Sequence, residues 1–121
     1  MERISEGEHA VLEVLWRKAP LSAVDISEQI GSARDWSAST VKTLLARLVA
    51  KGAVTHEGEG RRFLYSPRLT QEAFRATESR RLIDRLFDGR AAPLVAHLAQ
   101  QDQLSEADIA EIEALLRSLK S

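Results

Sequence analysis

The segment from Ser37 to Gly52 contains the start, the apolar stripe and the end of one amphipathic helix. Ser is a favoured N-cap residue, and Gly is the residue most often found just past a helix C-terminus. Between them, apolar residues recur at positions i, i+3, i+4, i+7 and i+8, which is the spacing of one helix face. These residues are Val41, Leu44, Leu45, Leu48 and Val49. The pattern predicts a helix that packs one stripe against a core.

The opposite face of this helix is polar and contains no carboxylate. Residues 36–56 include no Asp or Glu, although the chain has 18 of them among 121 residues. A surface that faces phosphates excludes acidic side chains, whereas Ser, Thr, Lys and Arg contact bases or phosphates. We therefore predict a DNA-reading helix, and the alternative is a solvated helix that lacks acids by chance. The predicted contact residues are Ser37, Ser39, Thr40, Lys42, Thr43, Arg47 and Lys51.

Positive charge is concentrated in the middle third of the chain. The whole chain has a formal net charge of −1, so it is not a generally basic protein. Residues 34–69 carry seven Lys and Arg against three Asp and Glu, whereas residues 1–33 and 70–121 are both net acidic. A nucleic-acid interface is therefore expected in the middle segment.

Two shorter helices are predicted before residue 37. Ser5, with Glu8 three residues later, is a capping box for a first helix over about residues 6–18. Ser22 is the N-cap of a second, short helix that is expected to end near Gly31. The predicted DNA-reading helix is then the third in the chain.

A β-hairpin is predicted directly after the third helix. Residues 53–56 and 61–67 are two short β-prone runs, and residues 57–60 form a Gly/Glu-rich link between them. Three helices followed by a hairpin is the element order of a winged helix-turn-helix. In that arrangement the third helix enters the major groove and the hairpin reaches the adjacent DNA backbone.

Two arginines flank the bend of this hairpin. Arg61 and Arg62 can reach phosphates or a minor groove there, or they can pair with Glu57 or Glu59. Because side chains alternate along a strand, only one of the two is expected to face DNA. We favour Arg61.

Past Pro67 the sequence changes to three short helices with broad apolar faces. They are predicted from Thr70 to about residue 87, around residues 92–99, and from Ser105 onward. About 50 residues build a poor core alone, so a second copy is the expected cover. We predict a mainly α fold with a small β-hairpin, composed of a winged-helix DNA-binding domain at 1–69 and a helical dimerisation domain at 70–121. The predicted dimerisation residues are Leu82, Ile83, Leu86, Phe87, Leu94, Val95, Leu98, Ile109, Ile112, Leu115, Leu116 and Leu119.

Enzymes, metal sites and cofactor sites have no support in the sequence. The chain has no Cys, and His9, His56 and His97 share no ligand spacing, so no metal site is expected. No phosphate loop, GxSxG, HExxH or dinucleotide fingerprint occurs, so we expect neither catalysis nor a cofactor. A secretory signal and an apolar run of the ~20 residues needed to span a bilayer are also missing, which favours a cytoplasmic protein.

Seven ordered blocks of residues carry a specific resemblance. They are Glu13–Trp16, Pro20–Ala23, Asp35–Ser37, Thr40–Ala53, Gly60–Pro67, Leu86–Gly89 and Leu104–Ile109. In this order and spacing, residues 4–121 resemble the BlaI/MecI family of penicillinase and methicillin-resistance repressors. The resemblance implies a homodimeric winged-helix repressor whose C-terminal helices form the dimer and whose third helices read an inverted repeat in a promoter, such as that of a β-lactamase or related resistance operon.

The same resemblance implies a route for release from DNA. In that family a membrane sensor with a metalloprotease domain detects a β-lactam, and the repressor is cut within its dimerisation region. The corresponding segment here is residues 94–99, with a possible cut between His97 and Leu98 where staphylococcal members have Asn-Phe. Because this chain departs from the family there, the inducer stays open. Copper-responsive relatives use C-terminal Cys motifs, which this chain lacks.

Two other functions remain open at this point. A winged helix also serves as a docking scaffold in protein-interaction adaptors, since a fold alone does not fix a function. Binding by an adaptor should be insensitive to salt, whereas DNA binding should weaken steeply with salt. The second alternative is a ligand-sensing regulator with a pocket at the dimer interface. The aliphatic C-terminal helices, however, offer no convergent polar groups to orient a ligand.

Overall fold

The computed structural model describes residues 2–120, except for the side chains of residues 32 and 33. Within that part of the chain, six helices and two strands follow one another in the predicted order. The helices are α1 (Glu6–Arg17), α2 (Ala23–Arg34), α3 (Ala38–Ala50), α4 (Gln71–Leu86), α5 (Ala91–Gln100) and α6 (Glu106–Lys120), and the strands are β1 (Val54–Glu59) and β2 (Arg62–Pro67).

The predicted serine caps are confirmed for the first three helices. Glu8 N–H donates to Ser5 Oγ at 3.2 Å, and Ser5 N–H donates to Glu8 Oε1 at 2.8 Å, which completes the capping box of α1. Ser22 Oγ accepts from the third residue of α2, and Ser37 Oγ accepts from the third residue of α3. Each hydroxyl satisfies an N–H that has no partner within its own helix, so the start of each helix is encoded locally.

The ends of α2 and α3 both involve glycine. Gly31 has φ +42° and ψ −126°, so the predicted end of α2 is a kink, and the helix resumes for one further turn. Gly52 has φ +77° and follows Lys51, the C-cap of α3. Gly52 N–H bonds to Val49 O at 3.0 Å and Ala53 N–H bonds to Leu48 O at 2.9 Å. This pair of bonds is a Schellman motif, which confirms Gly52 as the helix terminator.

The hairpin is longer than the sequence predicts. The predicted link of four residues, 57–60, is wrong, because Glu57, Gly58 and Glu59 belong to β1 and pair with β2. Gly60, with φ +62°, and Arg61 alone form the turn. Cross-strand bonding extends the strand here although Gly and Glu are poor strand formers.

A residue between α1 and α2 extends the sheet. Leu21 forms an isolated antiparallel bridge with Tyr65, with N···O distances of 3.1 and 2.8 Å. This bridge fixes β2, and with it the hairpin, to the start of α2.

The chain divides into an N-terminal unit that ends at Arg75 and a C-terminal unit that begins at Ala76, so the division falls within α4. The predicted domain boundary after residue 69 stays a prediction. In the N-terminal unit, α1, α2, α3 and the start of β1 enclose one apolar core. Its members are Ile4, Val11, Leu12, Val14, Leu15, Leu21, Ala23, Ile26, Ile30, Val41, Leu44, Leu45, Leu48, Ala53 and Val54.

An aromatic cluster anchors the first turn of α4 within the N-terminal unit. Trp16 Nε1 donates to Leu69 O at 2.9 Å. The ring of Phe74 stacks on His9 with centroids 4.6 Å apart and lies 5.7 Å from Trp16. The chain that leaves the hairpin is thereby attached to α1.

The C-terminal unit is α5, α6 and most of α4, and none of its described residues, 76–120, is buried. A capping box still defines the start of α6, since Ser105 and Asp108 form it with bonds of 3.0 and 3.1 Å. Asp88 and Gly89 both have positive φ just past α4, where the sequence predicts its end. No helix among residues 2–120 is long and apolar enough to cross a membrane.

Candidate nucleic-acid interface

The roll of α3 about its axis is fixed by its apolar stripe. Val41, Leu45 and Leu48 are each 0% exposed, and Leu44 is 8% exposed. Because residues three or four apart share a helix face, burying this stripe turns the opposite face to solvent. Ser39, Thr40, Lys42, Thr43, Ala46, Arg47 and Ala50 are all exposed.

The exposed face of α3 has hydroxyls at its start and two cations further along. Ser37 Oγ lies 3.2 Å from Thr40 Oγ1 while it also caps the helix, and Thr43 Oγ1 donates to Ser39 O at 3.1 Å. Among the described residues, no carboxylate pairs with Lys42 or Arg47. The face therefore presents two uncompensated positive charges and several short polar side chains.

Lys51 is placed differently from the other predicted contact residues. Its Nζ lies 2.6 Å from Glu8 Oε1 and donates to Arg3 O at 2.8 Å, and its side chain is only 16% exposed. The role of Lys51 in DNA contact stays a prediction, but the structure directs its ammonium towards α1.

The two arginines of the hairpin also differ from each other. Arg61 occupies the turn, and no acidic partner for it lies among residues 2–120. Arg62 begins β2, and its Nη2 lies 3.8 Å from Glu59 Oε1. Both side chains are exposed. Arg61 is thus the more available cation at the tip of the hairpin.

A groove of about 660 Å³ lies between the start of α2, Lys42 of α3 and the hairpin. Val24, which is 53% exposed, and Phe63, which is 52% exposed, contribute apolar surface to it, and neither is among the predicted contact residues. In α2, Ala23, Ile26 and Ile30 are buried, whereas Val24, which follows Ala23, is exposed. In the sequence, Val24 is recognisable as an apolar residue at a position that the helical repeat turns away from the core. No sequence signal marked Phe63, because the alternation of side chains along β2 places it on the same face as Tyr65, which is half-buried.

Each of the three histidines has an aromatic neighbour. His9 stacks on Phe74, and the ring of His56 lies 4.8 Å from Phe63. His97 lies 6.2 Å from Phe87 in the C-terminal unit. Within residues 2–120, no three His, Asp or Glu side chains come together in a way that could hold a metal ion. The imidazole rings serve as packing surfaces in these contacts.

The predicted dimerisation residues all lie in the C-terminal unit and none is buried. Ile83, Phe87, Leu94, Leu98 and Ile112 are half-buried. The others are exposed, from 36% for Leu82 to 82% for Leu119. The exposed members are Leu82, Leu86, Val95, Ile109, Leu115, Leu116 and Leu119.

The possible cleavage site lies inside a helix. His97 and Leu98 belong to α5, with His97 exposed and Leu98 half-buried. An extended protease site would require this helix to open locally.

Comparison with known proteins gives consistent similarities. The family described as Penicillinase repressor matches residues 4–118. The penicillinase repressor of Bacillus licheniformis is 29% identical over 98% of this chain and 93% of its own length. The methicillin resistance regulatory protein MecI of Mammaliicoccus sciuri is 30% identical over 93% of this chain and 92% of its own. The solution structure of monomeric Bacillus licheniformis BlaI with the blaP half-operator superposes with a TM-score of 0.51, at 32% identity over 60% of this chain and 88% of that one.

Proposed function

The chain belongs to the penicillinase repressor family, and we propose that it is a homodimeric transcriptional repressor that binds an inverted-repeat operator. The observation that carries this proposal is the outward face of α3. That face is acid-free, fixed in direction by the buried stripe, and carries the unpaired cations Lys42 and Arg47. Such a face is complementary to a major groove.

The arrangement of α3 and the hairpin supports a winged-helix mode of DNA binding. Helix α3 would lie in the major groove with Ser39, Thr40 and Thr43 near the bases, since short side chains allow a close approach. The hairpin turn would place Arg61 at the neighbouring backbone or minor groove. The similarity to a BlaI structure that contains a half-operator supports the same mode.

The C-terminal unit supports the proposal of a homodimer. Its helices expose aliphatic residues on faces with helical spacing, and a second copy with the same faces covers them symmetrically. Two linked winged helices bind two half-sites with a high effective concentration, so two modest affinities combine. The operator affinity should therefore depend on the integrity of α4, α5 and α6.

Release from DNA would follow from damage to the C-terminal helices. A cut between His97 and Leu98 would detach α6, with Ile109, Leu115 and Leu116, from the DNA-binding unit. The effective concentration of the second winged helix would then be lost while the first stayed folded. A sensor-protease pathway and a β-lactamase or related operon are the regulation that family membership suggests.

The salt dependence of DNA binding tests the proposal. Full-length protein is titrated with the promoter fragment upstream of its own gene, and with a scrambled fragment as control, over a series of salt concentrations. Each neutralised phosphate contributes about −0.9 to the slope of log affinity against log salt, so we expect a slope of several units and a preference for the promoter. A promoter affinity that does not change with salt would favour a protein-interaction adaptor.

A further inference from the structure

We propose that the buried Glu8 and Lys51 form a positioning pair that holds the C-terminal end of the recognition helix α3 for DNA binding, and that Lys51 does not contact DNA. This inference rests on the proposed function. It assigns a role to an acidic residue outside the DNA-facing surface, and it removes one cation from the predicted contact set.

The contacts around the pair are short and connect three segments. Glu8 Oε1 accepts from Lys51 Nζ at 2.6 Å and from Ser5 N–H at 2.8 Å. Lys51 Nζ also donates to Arg3 O at 2.8 Å. The end of α3, the start of α1 and the N-terminal segment are therefore joined at one ammonium.

Because Glu8 and the Lys51 side chain are largely shielded from solvent, their contacts hold α1 and the end of α3 in a defined geometry. Glu8 is 1% exposed, and the side chain of Lys51 is 16% exposed. Separating them would leave the buried carboxylate of Glu8 without its charged partner, which is strongly unfavourable. Burial of the aliphatic stripe is a non-directional interaction, whereas the ion pair and its hydrogen bonds require a defined geometry. The stripe thus sets the roll of α3, and the pair fixes its far end.

The same geometry removes the charge of Lys51 from the DNA-facing surface. Glu8 neutralises it at 2.6 Å, and two of the three N–H groups of the ammonium are already used, so little attraction is left for a phosphate. Lys42 and Arg47 are left as the basic contact residues of α3.

The direction in which Glu8→Gln changes the promoter affinity tests the inference. Glu8→Gln removes a negative charge from a protein that binds a polyanion, so electrostatics alone predicts tighter binding. Loss of positioning predicts the opposite, a fall of promoter affinity of about tenfold, the size of a lost base contact. Glu6→Gln is the matched control, because Glu6 lies on the same helix turn, is 88% exposed, and should leave affinity unchanged or slightly raised. Unchanged or tighter binding by Glu8→Gln would overturn the inference.

Lys51→Met provides a second readout. A lost phosphate contact would lower the salt slope by about 0.9, whereas a lost positioning contact lowers affinity at an unchanged slope. Both variants are measured in the full chain at a temperature at which circular dichroism shows them folded. If Glu8→Gln cannot meet that condition, the slope of Lys51→Met decides, and a reduced slope overturns the inference. Wild-type protein that shows no salt-dependent promoter binding would instead contradict the proposed function.

Discussion

The two units of the chain use their apolar residues in opposite ways. The N-terminal unit buries fifteen of them in one core, including six that are 0% exposed on α1, α2 and α3: Val11, Leu12, Ile26, Val41, Leu45 and Leu48. The C-terminal unit has no buried residue among positions 76–120, and seven large aliphatic side chains there are exposed. The first unit is therefore stabilised by its own core, whereas the second exposes apolar faces that a partner could cover.

The largest effect is expected from a charge placed on the exposed aliphatic face of α6. Leu116→Asp should convert the proposed dimer to a monomer and lower the affinity for the proposed inverted repeat by about 10²- to 10⁴-fold, because the effective concentration of the second half is lost. Sedimentation equilibrium and DNA titration measure the two effects. The control is Ala110→Asp on the opposite side of the helix. If the Leu116→Asp protein remains dimeric, α6 is not part of the dimer interface.

One substitution made in both units sharpens the contrast. Leu45→Ala should lower the free energy of unfolding of the N-terminal unit by about 2–5 kcal/mol, since Leu45 is 0% exposed. Leu119→Ala should change the stability of the monomer by less than about 0.5 kcal/mol, since Leu119 is 82% exposed. Urea unfolding at a protein concentration below that of dimerisation measures both. If both substitutions lower the free energy of unfolding by the same amount, the contrast between the two units is wrong.

The exposed cations of α3 should matter for DNA binding and not for folding. Lys42→Ala or Arg47→Ala should weaken promoter binding by about 1–3 kcal/mol if a base contact is lost, and by less if only a phosphate contact is lost. Affinity at fixed salt and thermal unfolding are measured together. If neither variant binds more weakly, the absence of acids on this face is a coincidence.

Lowering the pH should weaken the N-terminal unit through Glu8. Burial by itself would raise the pKa of Glu8, but the hydrogen bonds from Lys51 and Ser5 hold the pKa below its ordinary value of 4.5. The charged pair therefore stabilises the fold above about pH 4.5, and this stabilisation is lost as the pH falls through the lowered pKa of the folded state. The melting temperature of wild type should fall more steeply below pH 4.5 than that of Glu8→Gln. Parallel curves would mean that the pair does not contribute to stability.

The smallest effect is expected at the tip of the hairpin. Arg61→Ala should weaken DNA binding by less than about 1 kcal/mol and lower the salt slope by about 0.9, as for one phosphate contact. Arg62→Ala should have a smaller effect, because Arg62 already has Glu59 at 3.8 Å. The same salt series measures both variants, and a larger loss for Arg62 would reverse the assignment.

Features encoded by neighbouring residues were predictable from the sequence. Ser5, Ser22 and Ser37 cap their helices by bonds to residues three positions away, and Gly52 supplies a positive φ. The acid-free face of α3 follows from residue order alone, since the helical repeat places every member. The winged-helix order of elements could be predicted for the same reason.

Features that depend on distant residues were not predictable. Lys51 and Glu8 are 43 positions apart, so no local pattern shows that the ammonium contacts Glu8 of α1. The strand residues Glu57, Gly58 and Glu59 have weak strand propensity, and their pairing with β2 decides their conformation. The groove beside Val24 and Phe63 was not predictable either, because it depends on how α2 and the hairpin approach each other.

The division of labour between the two units is tested most directly by comparing two DNA targets. Full-length protein is titrated, at one salt concentration, with the inverted repeat mapped by footprinting and with a fragment that keeps only one half-site. We expect the inverted repeat to bind on the order of 10²-fold more tightly or better, because the proposed dimer links two winged helices through its C-terminal units. Equal affinities for the two fragments would contradict it.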